Sequence, residues 1–192
     1  MPRAPHPAPP LAVRRAARVL RAGGVVAYPT EGVWGLGCDP LDAEAFSRIL
    51  VAKERPASMG VILLAGDRAQ LDPWIEPPGA ELEARLAKTW PGPVTWILPA
   101  RPWVPAWITG GRDTLAARVT AHPLAGALSR AAGMPIVSTS ANRSGRRPAR
   151  NAAQVRRWLG EDVDFILGGA TGGLPGPTPI FDGRSGRALR AG

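Results

Sequence analysis

The sequence predicts a single-domain α/β protein in which helices flank one sheet. Three observations carry the prediction. Segments with helical apolar spacing alternate with short apolar runs along most of the chain. One of these runs, Val61-Ile62-Leu63-Leu64, is apolar at every position, as in a strand buried on both faces. The run Pro135-Ile136-Val137 turns abruptly polar into Ser138-Thr139-Ser140-Ala141-Asn142, the pattern of a strand that delivers small polar groups to a sheet edge, where open α/β sheets bind ligands. The 192 residues suffice for one domain with a sizeable core, and no internal repeat or second domain is visible.

Taken in order, residues 1–10 form a Pro/Ala tail without the apolar core of a secretory signal and are expected to be disordered. Leu11 to Ala22 has helical spacing, with Leu11, Val13, Ala17 and Leu20 on one stripe and Gly23-Gly24 as its stop. Val25 to Tyr28 reads as a strand ended by Pro29. The stretch Thr30 to Asp39 reads as a Gly-rich turn, with neither the Walker pattern nor the dinucleotide spacing. Asp42 to Ala52 is a helix with Ala45, Phe46, Ile49 and Leu50 inward. Pro56 keeps Arg55 out of the α region, so Lys53 and Arg55 are expected to project the same way from an extended exit. Glu81 to Lys88 is a helix broken by Trp90-Pro91-Gly92-Pro93, and Val94 to Leu98 a strand with Thr95 at its beginning. Leu115 to Thr120 is a strand, Pro123 to Ala132 a helix stopped by Gly133, and Asn151 caps a helix through Leu159. Val163 to Leu167 is a late strand. Gly168 to Pro179 is a Gly/Pro loop and a candidate lid. Ile180 to Asp182 and Ala188 to Arg190 form a closing hairpin.

Composition narrows the function. No apolar run approaches the ~20 residues that span a bilayer, so a cytoplasmic protein without a membrane segment is expected. Cys38 is the only cysteine, which excludes an intrachain disulfide and a zinc site built on two or more cysteines. The net charge of +9 is uneven: residues 1–96 carry 11 basic and 10 acidic side chains, residues 97–192 carry 13 and 5. An anionic partner, nucleic acid or a phosphorylated small molecule, would suit the basic half. Yet 22 of the 24 basic residues are arginine, beside abundant Ala, Gly and Pro, and a coding bias would produce the same surplus as solvated surface.

Several residues point to chemistry. If the central stretch stays extended, Ser138, Ser140 and Asn142 share one face. Thr30 and Glu31 offer a hydroxyl and a carboxylate directly after a strand. Lys53 and Arg55 are either a phosphate-binding pair or two solvated charges at a helix C-terminus. Arg118 lies inside a small apolar run, where it needs a partner: a structural Asp or Glu, or a ligand carboxylate held bidentately. No Ser-His-Asp arrangement is visible, and His122, before Pro123, reads as structural. Trp90, Trp96, Trp103 and Trp107 read as core or lid packing.

Five segments taken together resemble the YrdC/TsaC family of threonylcarbamoyl-AMP synthases: Tyr28-Pro29-Thr30-Glu31, Lys53-Glu54-Arg55-Pro56, Trp90-Pro91-Gly92-Pro93-Val94-Thr95, Ala117-Arg118-Val119-Thr120-Ala121-His122-Pro123 and Ser138-Thr139-Ser140-Ala141-Asn142. They occur in family order, and the resemblance runs from about Leu11 to the end. It implies an open, twisted mixed sheet with a large, basic concave cleft. It implies a nucleotidyltransferase that joins L-threonine, bicarbonate or CO2, and ATP into threonylcarbamoyl-AMP, releasing pyrophosphate, for N6-threonylcarbamoyladenosine (t6A37) in tRNA. ATP is then a substrate, Mg2+ its companion, and zinc absent.

Matched residue by residue, Lys53 and Arg55 would hold ATP phosphates, with Ser138, Ser140, Asn142 and Arg190 near the nucleotide. Of these, Lys53, Arg55 and Ser140 would act at the reacting groups. Thr30, Thr95, Arg118 and Thr178 would bind threonine, with Arg118 on its carboxylate. No residue is expected to ligate a resident metal. The short, single-domain form implies partners in the enzymes that transfer the threonylcarbamoyl group. Two departures stand out: Met59-Gly60, where the family often has Lys-Gly or Asn-Pro, and a Pro-rich loop at 173–179. Two other readings are open. One is a module that binds tRNA or double-stranded RNA through the cleft and the arginines at 143–157 without ATP turnover. The other is a carbamoyl-transfer domain, which the short length and single cysteine disfavour.

Overall fold

The computed structural model describes residues 10–191. The tail expected to be disordered lies, apart from Pro10, outside the described residues. The first helix, α1 (Leu11–Arg21), buries Val13, Ala16, Ala17 and Leu20. Leu11, expected on that stripe, is exposed, because the buried arc is set by i, i+3, i+4, i+7 from Val13. Strand β1 (Val26–Pro29) pairs antiparallel with β2 (Trp34–Gly37). The sequence reading took this second arm for a turn. Its glycines hide the strand pattern, and one of them, Gly37, is required by packing. A Cβ on Gly37 would stand 2.5 Å from the Val137 carbonyl oxygen and 2.9 Å from the Tyr28 ring.

Helix α2 (Ala43–Lys53) is capped by the Asp42 carboxylate, which accepts from the Ala45 N–H, and ends at Glu54 in the left-handed region, φ 51°. Strand β3 (Ile62–Ala65), helix α3 (Ala80–Thr89) and strand β4 (Thr95–Pro99) follow. Then come a short α4 (Ala106–Thr109) that the sequence reading lacked and β5 (Thr114–Val119). Helix α5 (Pro123–Ala132) starts at His122, whose Nδ1 accepts from the Ala125 N–H, and stops at left-handed Gly133. Strand β6 (Ile136–Ser140) is the central stretch, and α6 (Ala152–Leu159) is capped by Asn151. Strands β7 (Phe165–Ile166), β8 (Ile180–Asp182) and β9 (Ala188–Arg190) complete the chain.

The strands form one mixed sheet in the order β7-β1-β2-β6-β3-β5-β4-β8-β9. Pairs β1–β7, β3–β5 and β4–β8 are parallel; the rest are antiparallel. Side-chain alternation divides the core. Leu63, Ala65, Ala117 and Val119 point to one face, into a cluster with Phe46 and Ile49 of α2, Leu86 of α3 and Val155 of α6. Leu64 and Ile136 point to the other, into a cluster with Val13 and Leu20 of α1 and Leu128 of α5. On that second face, two residues back along each strand, Ser138, Ile62, Ala116 and Ile97 stand in register across β6, β3, β5 and β4. No residue of α1 or α5 covers this row, and it is the floor of a cleft.

Candidate active site

The cleft has a volume of about 400 Å³. Above its floor stand residues from three places: the exit of β1 (Thr30, Gly32), the turn before β3 (Arg55, Met59, Gly60), and the closing hairpin with the loop before it (Thr178, Leu189, Arg190). Four arginines, 55, 112, 118 and 190, line it, and no Asp or Glu does.

Arg118 extends β5 on the same face as the cleft floor and is nearly fully buried. Its Nη1 donates to Thr178 Oγ1 at 2.5 Å. Its Nη2 lies 3.5 Å from Glu31 Oε2, and its Nε is buried without a hydrogen-bond partner. The structural carboxylate foreseen for Arg118 is therefore Glu31, and the guanidinium still has donor capacity. Glu31 is fixed in turn: its Oε1 accepts from Thr120 Oγ1 at 2.6 Å and from the Ala121 N–H at 3.2 Å. The sequence reading noted Glu31 but gave it no role. The signal available was its place beside a buried strand end, opposite an equally buried arginine.

Thr178 joins this network to the last strand. Its Oγ1 is 3.4 Å from Thr95 Oγ1, and its carbonyl accepts from Arg190 Nη2 at 2.7 Å. Thr95 is fully buried behind Thr178 and does not line the cleft. Thr30 does, and its hydroxyl donates to the Val33 carbonyl at 2.7 Å. The Gly/Pro loop is laced to this corner: the Gly172 and Leu174 N–H groups donate to the Thr30 and Glu31 carbonyls, each at 3.0 Å. His122 holds the loop's start, with Nε2 3.0 Å from the Ala170 carbonyl.

Arg55 and Lys53 separate, contrary to the expected common projection. Lys53 is still helical and the left-handed Glu54 turns the chain between them. Arg55 Nη2 donates to the Gly60 carbonyl at 2.9 Å from the cleft wall, and its Nε is buried and unpartnered. Lys53 points to the other side of β6. Its Nζ donates to the Ser140 carbonyl, to the Asn142 carbonyl at 2.8 Å and to Asn142 Oδ1 at 3.3 Å. Ser138 and Ser140 line the cleft, as period-two alternation requires. Asn142 does not share their face, because the strand ends at Ser140; its side chain turns back, accepting from Ser140 Oγ at 2.6 Å.

The cleft is lined by cations, and Glu31, which pairs with Arg118, stands outside the lining. Burial lowers the pKa of Arg55. Burial lowers that of Arg190 too, and the like charges of Arg118 and Arg55 add to it. Burial, then Arg55, brings Lys53 down to about 8. Arg112, which sequence reasoning passed over in the Gly110-Gly111 turn, lines the cleft with its Nη1 on the Thr109 carbonyl at 3.2 Å. Met59 and Leu189 line it too, each about half exposed. Among the described residues no group of three or more His, Cys, Asp or Glu is placed to hold a metal ion, and no helix is long and apolar enough to cross a membrane.

A mixed open sheet with a cleft on one face, lined there by arginines and hydroxyls, defines an α/β protein. The chain belongs to the Sua5/YciO/YrdC family, whose model, described as telomere recombination, matches residues 18–192. It is 56% identical over 181 residues to the threonylcarbamoyl-AMP synthase of Halorhodospira halophila, covering 94% of this chain and 95% of that one. It is 57% identical over 178 residues to that of Nitrosococcus oceani, covering 93% and 96%. Among solved structures, P. abyssi Sua5 complexed with L-threonine superposes with a TM-score of 0.83 at 37% identity, over 88% of this chain and 50% of Sua5; the chain spans about half of that protein. E. coli YciO superposes at 0.78 with 30% identity, over 92% and 87%.

Proposed function

We propose that this chain is an L-threonylcarbamoyladenylate synthase, joining L-threonine, bicarbonate or CO2, and ATP to threonylcarbamoyl-AMP and pyrophosphate for t6A37 formation in tRNA. The observation that carries the reading is the cleft itself: arginines 55, 118 and 190 converge with no lining carboxylate, and Arg118 and Arg55 each keep a buried Nε without a partner. Cations so arranged, with Arg118 nearly fully buried among them, call for anionic ligands. The relatives named threonylcarbamoyl-AMP synthase, and a Sua5 that binds L-threonine, supply the substrates that fit.

Arg118, with Thr30 and Thr178 beside it and Thr95 behind, would take the threonine carboxylate and hydroxyl. Arg55, Arg190, Ser138 and Ser140 would take the phosphates, and the apolar floor of Ile62, Ala116 and Ile97 would hold the flat parts of the nucleotide. The threonine amine attacks the carbon of CO2 to give a carbamate, losing a proton; from bicarbonate the same carbamate forms as the C–O bond breaks and water leaves. A carbamate oxygen then attacks the α-phosphorus and pyrophosphate leaves with the electron pair of the broken P–O bond. No side chain need form a covalent intermediate. Orientation of reactants lowers such barriers by up to about 7–11 kcal/mol, and fixed cations stabilise the charge developing on the departing phosphates. The lining supplies no carboxylate, so these residues do not fit a protein-held Mg2+; the ion would travel with the nucleotide's own oxygens. The product's consumer would be the threonylcarbamoyl-transfer machinery. Direct contact with tRNA or double-stranded RNA would fall on the arginines at 143–157, a stretch without acidic residues.

The test is pyrophosphate release from ATP with threonine and bicarbonate, omitting each in turn and replacing threonine by serine and by valine. Release that requires both co-substrates and prefers threonine establishes the synthase. No release from a folded sample that binds RNA moves the assignment to the binding module.

A further inference from the structure

Lys53, expected to hold ATP phosphates, has its donors already spent. An ammonium has three N–H groups, and Lys53 Nζ has three acceptors, at the end of β6 and in the turn after it: the Ser140 carbonyl, the Asn142 carbonyl and Asn142 Oδ1. The side chain is nearly fully buried and does not line the cleft, whereas Ser140 does. The backbone repeats the connection, since the Ser144 N–H donates to the Lys53 carbonyl at 2.7 Å. Asn142, the hub of the turn, is fully engaged. Its Oδ1 accepts from Ser140 Oγ as well as Lys53, and its Nδ2 donates to the Arg143 carbonyl at 2.8 Å and the Arg146 carbonyl at 2.7 Å.

We infer that Lys53 is a positioning residue: it clamps the Ser140–Asn142 turn to the end of α2 from behind the sheet, and leaves the phosphate contacts to Arg55, Arg190 and the two serines. The inference rests on the cleft holding ATP as proposed above. Its physical logic is that of a side chain held by dipoles alone. Among the described residues no carboxylate adds to the charge Nζ feels, which is that of Arg55, of the same sign. A cation buried under those conditions is retained for the geometry of its hydrogen bonds. Pulling the Ser140 and Asn142 carbonyls onto one nitrogen fixes where Ser140 Oγ stands, and a displacement of ~1 Å at such a group costs about 100-fold in rate.

The chain has only two lysines, Lys53 and Lys88, so 15N-lysine labelling gives two side-chain signals. On adding saturating pyrophosphate to the wild-type protein, the Lys53 ammonium resonance is expected to keep its shift and its slow proton exchange. A large shift with loss of that protection would make Lys53 a phosphate ligand and overturn the inference. Failure of pyrophosphate to bind at all would defeat the cleft assignment instead. A second arm uses Lys53→Arg, which keeps the charge and its reach toward a phosphate but does not fit the three-acceptor nest. Positioning predicts no rescue: kcat/KM for ATP about 100-fold down, with AMP and ATP affinities weakened by the same factor. Wild-type ATP affinity in Lys53→Arg, or a penalty confined to ATP, would refute it. If that variant does not fold, the labelled wild-type protein still decides.

Discussion

Arg118 and Glu31 form an ion pair whose side chains are 4% and 9% exposed, and each partner fixes what the other can do. Removing one leaves an uncompensated buried charge, at about 3–5 kcal/mol. Arg118→Ala is therefore expected to lower unfolding stability by that order and to abolish threonine-dependent turnover, checked by urea unfolding and pyrophosphate release. Arg55 is different. It lies on the cleft wall, and its guanidinium donates to the Gly60 carbonyl. Arg55→Ala should cripple turnover with little loss of fold. Normal turnover in that variant would remove Arg55 from the site. Lys53 carries a pH signature. Its pKa is about 8 in the folded protein against an ordinary 10.5, so between those values the unfolded chain binds more protons and stability from this group rises with pH. Burial raises the pKa values of Cys38 and Tyr28, which act in the opposite sense in both proteins, so the melting temperature of wild type relative to Lys53→Met should rise across that window. These roles were only half legible in the sequence. The residue types and their order were visible, because a cation inside an apolar run demands a partner. Which way each side chain turns was not, because a single left-handed residue, Glu54, decides that Lys53 and Arg55 part.

At the scale of elements, apolar periodicity located most helices and strands, since burial of one face is what that periodicity records. It failed where the constraint is steric instead. Strand β2 carries Gly37 because Tyr28 and the Val137 carbonyl press against it, and no hydropathy pattern encodes that contact. The Gly/Pro loop at 168–179 likewise showed composition without geometry. Its placement depends on Gly32, where an added Cβ would stand 1.8 Å from the Gly176 carbonyl oxygen. That oxygen is backbone, so a side chain at position 32 must displace the loop, and Thr178 with it, away from Arg118. Gly32→Ala is expected to destabilise the protein by about 1–3 kcal/mol, the usual cost of overpacking, and to raise KM for threonine. A variant with wild-type KM would show that the loop and Thr178 move independently.

For the whole molecule, the decisive feature is a sheet face that helices cover over only half its length. Two residues along the same strands separate Leu64 and Ile136, sealed under α1 and α5, from Ile62 and Ser138, open to ligand. The sequence could not show this, because the same alternation continues through both halves. Nor could it separate functional from incidental arginine: with 22 in the chain, most are surface, and only the fold brings 55, 112, 118 and 190 together from distant segments. Their joint field makes a prediction. With a net charge of +9 and no carboxylate lining the cleft, association with a polyphosphate should be electrostatically steered. Steering fades as the Debye length falls from about 10 Å at 0.1 M salt to about 3 Å at 1 M. Contacts to the nearly buried Arg118 are screened much less. Raising salt should therefore weaken ATP far more than zwitterionic threonine, a difference measurable by titration calorimetry at fixed pH. Equal salt dependence for both would place the dominant positive field elsewhere, on the arginine-rich surface at 143–157, and would assign the cleft's selectivity to shape and hydrogen bonding instead.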